Sequence, residues 1–184
     1  MFNVCPDQKR IITHGSDTSG SCCVDVSNAN VNSGEYSIMS SRNNKIQVQV
    51  FNDSNQKPVP RTKIQEVVRR VFASEGIKEA EVNVIIVTDE RIHELNIEFL
   101  KHDYPTDVIT FPISEDPLEG EVYISADTAR NQAVEYGVTL TEEILRLAAH
   151  GALHLAGYDD STPEGKKQMS VLETKYMHAG NSQG

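Results

Sequence analysis

The chain has no tryptophan and only three cysteines, Cys5, Cys22 and Cys23, all before residue 24. Odd in number and matching no paired metal-ligand spacing, they are read as incidental. Any metal site beyond Val24 must therefore be built from histidine and carboxylates. Long apolar runs are lacking too: nothing approaches the roughly 18 residues of a membrane span. The first residues, "MFNVCPDQKRIITHG", carry no apolar segment after a basic start, so a cytoplasmic protein without membrane association is expected. Positive charge is scarce, with 17 Lys and Arg against 27 Asp and Glu and a net charge of -10. Proteins that coat nucleic acid neutralise many phosphates with Lys and Arg. That class is excluded, whereas an enzyme meeting RNA in one groove is not.

What remains suits one ordinary domain: 184 residues, 38% hydrophobic and 24% charged. Residues 1–44 are rich in Ser, Asn, Gly and Asp and show neither helical nor strand periodicity, so they are expected to form a mostly disordered extension. The domain is placed at 45–180. Within it "IQVQVF" alternates as a strand, and Ile64, Val67, Val68, Val71 and Phe72 recur at helical spacing before Gly76. "EVNVIIVT" reads as a second strand. "DERIHELNIEFL" reads as a helix with Asp89 as N-cap and Ile92, Leu95 and Phe99 on one face. "DVITFPI" and "GEVYIS" are strands joined by a loop "SEDPLEG", and "ADTARNQAVEYG" is helical. A further helix has Thr141 as N-cap candidate, with Glu142 and Glu143 in its first turn. The last has Thr162 before Pro163 and sets Met169, Leu172 and Tyr176 on one side. The expected fold is α/β (α+β): a small mixed sheet packed with about five helices.

Chemistry concentrates in "HGALHLAGYDD", His150 to Asp160. His150 and His154 stand four apart on a helix that is apolar almost all round, so both rings lie on one face, roughly 5–6 Å apart at Cβ. Gly157 is placed to end that helix through a left-handed cap, which returns Asp160 toward the histidines. The spacing H-x-x-x-H-x-x-G-x-x-D parallels the metzincin pattern, with Asp160 in the third ligand's place. Two His and one carboxylate leave a coordination position open, as in catalytic zinc sites. Zincin peptidases need Glu after the first His as general base; here that residue is Gly151. The bland alternative is two hydrogen-bonded core histidines, with Asp160 capping the next helix.

Together with "HDYPTDVITFP", "GEVYIS" and "ADTA", this motif resembles the YbeY family of bacterial endoribonucleases over about residues 45 to 178. The family pattern H-G-x-L-H-L-x-G-Y-D-H is matched at His150, Gly151, Leu153, His154, Leu155, Gly157, Tyr158 and Asp159. The resemblance implies a zinc-dependent endoribonuclease, with one Zn2+ ion, specific for single-stranded RNA. It further implies action on the ribosome, in maturation of the 3' end of small-subunit rRNA and in ribosome quality control. The family's third histidine falls on Asp160, and an arginine connected with RNA cleavage falls on Leu100. Lys101 follows and is a candidate cation for the substrate phosphate, without the bidentate fork of arginine.

Elsewhere, His93 is placed on an exposed helix side and His102 in a turn, neither with a chemical role. Asp107 is expected to support its turn or the surroundings of the ligands, and Asp159 is a candidate to orient a ligand imidazole. Two other functions compete: a zinc hydrolase of a non-nucleic substrate, including a peptidase with a displaced base, and a ribosome-associated binding protein with a structural metal. The sequence assigns no oligomeric state.

Overall fold

A computed structural model describes residues 45–101 and 103–178. The N-terminal extension and His102 lie outside them. Strand β1 (Lys45–Asn52) leads to helix α1 (Arg61–Ser74), whose Ile64, Val67, Val68, Val71 and Phe72 are all buried, as their spacing requires. Strand β2 (Glu79–Val87) follows, then α2 (Asp89–Leu95), which widens into a π-helical turn, Asn96–Leu100. Strands β3 (Val108–Glu115) and β4 (Leu118–Ser125) precede α3 (Ala126–Tyr136), α4 (Leu140–Leu155) and α5 (Pro163–His178).

The four strands form one sheet in the order β1-β2-β4-β3. β1, β2 and β4 run parallel, and β3 is antiparallel along the edge. This is the expected α/β fold, a small mixed sheet with five α-helices among the described residues. Alternation sends Val48, Val50, Val82, Val84, Ile86, Val122 and Ile124 to one face, where they share a core with α1 and α4. α4 contributes ten buried residues, so it is the central helix of that layer.

Local details differ from the sequence reading for physical reasons. The helix cap before Asp89 is Thr88, whose Oγ1 accepts from Arg91 N at 3.3 Å, while the Asp89 carboxylate turns to the Thr128 hydroxyl at 2.7 Å. α4 is capped by Thr139 rather than Thr141, in a reciprocal box with Glu142. Phe99 does not share the buried face of Ile92 and Leu95. The π turn adds a residue to the helical repeat and rotates Phe99 outward, 52% exposed, where it packs edge-on against Phe111 at 5.2 Å. "SEDPLEG" is no open loop: Glu115 pairs with Leu118, so only Asp116 and Pro117 link the strands of a hairpin.

Candidate metal centre

α4 ends as its sequence demands. Gly157 takes φ 95°, its N–H donates to the His154 carbonyl at 3.0 Å, and Tyr158 N donates to the Leu153 carbonyl at 3.0 Å. This pair of bonds is a Schellman closure, which a residue with a Cβ adopts only under strain. The reversal brings the Tyr158 carbonyl to His154 Nδ1, at 2.9 Å. The same turn carries Asp160 back beside α4. A second glycine makes this possible, because a Cβ on Gly165 would stand 2.2 Å from the Asp159 carbonyl oxygen. The Tyr158 hydroxyl donates to Glu75 at 2.7 Å, pinning the turn to the end of α1.

His150, His154 and Asp160 are thereby brought together, with one ligand atom from each lying within 4.8 Å of the others. The two Nε2 atoms face each other at 3.0 Å, and Asp160 Oδ1 lies 3.9 Å from His154 Nε2. Each Nδ1 meets an oxygen that can only accept: His150 the Glu173 carboxylate at 2.8 Å, His154 the Tyr158 carbonyl. In neutral rings both protons therefore sit on Nδ1, leaving both Nε2 lone pairs pointed at one place. Asp160 Oδ1 is buried there with no hydrogen-bond partner. In that state the converging acceptors repel one another, and the buried Asp160 oxygen is costly to leave unsatisfied. A cation resolves both, and a set of two nitrogens and one oxygen suits a divalent ion such as zinc.

Asp160 does not cap α5. Thr162 does so, its Oγ1 accepting from Gly165 N at 3.0 Å. Asp159 is exposed and holds Ser161 through its N–H at 2.9 Å and its hydroxyl, so it shapes the turn and orients no imidazole. The group that orients His150 is Glu173, 7% exposed, which the sequence reading missed. A signal existed: Glu173 falls on the apolar stripe of Met169 and Tyr176, an unusual place for an unpaired acid.

Lys101 ends the π-helical turn in the left-handed region, φ 59°, and its Nζ donates to the Glu98 carbonyl at 2.8 Å. His93 is half-buried and pairs with the exposed Asp103 at 2.9 Å. Asp107 is buried and supports its own turn, accepting from Val108 N at 2.9 Å and from Gln132 at 3.1 Å.

The family profile described as Endoribonuclease YbeY matches residues 49–181. The chain belongs to the endoribonuclease YbeY family. The Endoribonuclease YbeY of Chlorobaculum tepidum is 39% identical over 132 residues, which span 71% of this chain and 96% of that protein. That of Bacillus licheniformis is 40% identical over 129 residues, 62% of this chain and 82% of the relative. The solution structure of a Thermotoga maritima protein superposes with a TM-score of 0.56 at 32% identity, covering 72% of this chain and 87% of that one.

Burial, reinforced by the His150 ring and opposed by Asp160, holds the His154 pKa below its ordinary 6.5. Below about pH 6.5 the unfolded chain takes up a proton that the folded one refuses, so metal-free stability falls as pH drops. The pH dependence of Tm, compared between the metal-free protein and His154→Gln, should show a shallower acid loss in the variant.

Proposed function

We propose that the protein is a zinc-dependent endoribonuclease that cuts single-stranded RNA, with His150, His154 and Asp160 holding one ion. The observation that carries this is the convergence of three acceptor atoms, one of them an orphaned buried carboxylate oxygen, in a chain of the endoribonuclease YbeY family. A bound divalent ion supplies Lewis acidity at a phosphoryl oxygen and acidifies water. The protein's own part is to present neutral imidazoles: the Tyr158 carbonyl and Glu173 retain the Nδ1 protons, and burial keeps His154 from protonating. His154 is the most exposed of the three side chains, at 16% against 8% and 4%, so substrate approaches from its side.

No base comes from position 151. Gly151 faces the sheet, and a Cβ there would stand 2.5 Å from Val122 Cγ1 and 3.2 Å from Thr110 Oγ1. That placement disfavours a zincin-type peptidase. Lys101 is the proposed cation for the substrate phosphate, held at the end of the π-helical turn. We further propose that its substrate is the 3' end of small-subunit rRNA, with a role in ribosome quality control and a cytoplasmic location; membership of an endoribonuclease family supports the RNA part of this reading.

The purified full chain should cut single-stranded RNA, spare duplex RNA and unfolded polypeptide, lose cutting on chelation, and regain it with zinc. Chelator-resistant cutting would remove the metal from the reaction. Polypeptide hydrolysis that vanishes in His150→Ala, with RNA untouched, would replace the nuclease reading.

A further inference from the structure

α4 carries a third polar residue in line with the two histidines: Arg146, His150 and His154 recur at intervals of four, on one stripe of the helix. The Arg146 guanidinium is held side-on by Glu143, with Nε at 3.1 Å from each carboxylate oxygen and Nη2 at 2.6 Å from Oε1. Its Nη1 reaches across to α5 and donates to Glu173 Oε2 at 3.3 Å. The other Glu173 oxygen, Oε1, lies 2.8 Å from His150 Nδ1. Both acids are buried, Glu143 at 1% and Glu173 at 7%.

We propose that Arg146 is a positioning residue of the metal centre, acting on His150 through Glu173. The inference rests on His150 being a ligand. Packing alone does not call for this cluster. Apolar side chains of the same volume would hold α4 to α5 at least as well as buried ions, whose desolvation offsets much of their attraction. The cluster instead fixes direction. With Oε2 tied to Arg146, the carboxylate cannot rotate, so Oε1 stays on Nδ1 and the Nε2 lone pair stays aimed at His154 and Asp160. Glu143 completes the fixture by gripping the guanidinium from the other side. A lysine could not bridge the two acids in this way, because it lacks the planar fork.

Two measurements on the full chain test the proposal. Zinc affinity is read by competition with a chelator, and nitrogen NMR of the chelator-stripped protein at about pH 8, where histidine is neutral, reads which ring nitrogen of His150 bears the proton. Arg146→Met should weaken zinc binding by about 10- to 100-fold and shift His150 from a single Nδ1–H form to a mixture. Glu173→Leu should do the same, and in Glu173→Gln, whose single amide oxygen cannot accept from both Arg146 and Nδ1, the tautomer should fall between the parent and Glu173→Leu. If Arg146→Met does not fold because Glu143 is stranded, the double variant Glu143→Met/Arg146→Met removes both charges and decides the matter by the same readouts. Parental affinity with an unchanged His150 signal would overturn the proposal, and so would weakened affinity with the tautomer intact. A parent chain that binds no zinc would defeat the metal reading above, while the tautomer shift would still report whether Arg146 sets the His150 ring.

Discussion

Asp160→Ala should bind zinc more than about 100-fold more weakly than the parent, since even groups that only orient a ligand contribute about 10- to 100-fold. Two imidazoles would remain, one short of the three protein ligands of a catalytic zinc site. The metal-free protein should respond in the opposite sense. Asp160 is 3% exposed and its Oδ1 has no hydrogen-bond partner, so removing it relieves a buried polar atom that is left unsatisfied without metal. Tm without metal should hold or rise, and the rise in Tm on adding zinc should largely disappear. Asp160→His supplies the ligand type of the family pattern at the same spacing after Gly157 and should retain zinc. A helix cap would behave differently, losing about 0.5–2 kcal/mol with metal affinity untouched. Chelator competition and calorimetry on the two variants separate these cases, and parental zinc affinity in Asp160→Ala would take Asp160 out of the site.

The part of this centre that was legible in sequence is the part built from local geometry. His150 and His154 share a face because a helix repeats every 3.6 residues, and Gly157 ends that helix because its φ of 95° suits glycine. Asp160 follows from both. What was not legible comes from across the fold: Glu173 reaches His150 over a separation of 23 residues, and Arg146 bridges two helices. No local period announces such a contact. The only trace is an acid standing where Met169 and Tyr176 predict an apolar neighbour. The elements themselves were readable wherever burial was one-sided, as in α1, with its five buried apolar residues.

Boundaries failed where two local signals compete. Thr139 and Thr141 both precede Glu142, but only Thr139 stands three residues before a glutamate that can bond back to it. The hairpin between β3 and β4 was obscured by Glu115, Asp116 and Pro117, poor strand formers whose neighbours are nonetheless paired by the register of the sheet. Phe99 was misplaced because period-3.6 counting does not survive a π turn.

Gly151 shows how one residue can carry two readings. In sequence it marks the missing base of a peptidase; in the fold it is where α4 lies against the sheet without room for a side chain. A methyl group there would stand 2.5 Å and 3.1 Å from the two Val122 methyls, and Val122 is fully buried in β4. Thr110 Oγ1, at 3.2 Å, closes the other side. Backbone atoms of a central helix and a central strand can separate only by moving the core on both sides, so Gly151→Ala should destabilise the protein by about 1–3 kcal/mol through overpacking. The gain in helix propensity, about 1 kcal/mol for glycine to alanine, offsets part of that cost and leaves a net loss of up to about 2 kcal/mol. Gly151→Glu, which would write the peptidase pattern into the chain, should cost more, because it drives a carboxylate against Val122 with no partner. It should yield no peptide hydrolysis. Truncating the opposing side chain supplies the control: in Gly151→Ala/Val122→Ala the new methyl occupies space that Val122 gives up, so the double variant should be more stable than the two single losses combined predict. Denaturant unfolding of the four proteins measures the coupling. Were Gly151→Ala as stable as the parent, the contact of α4 with β4 would not be what demands glycine, and the empty position beside His150 would need another cause.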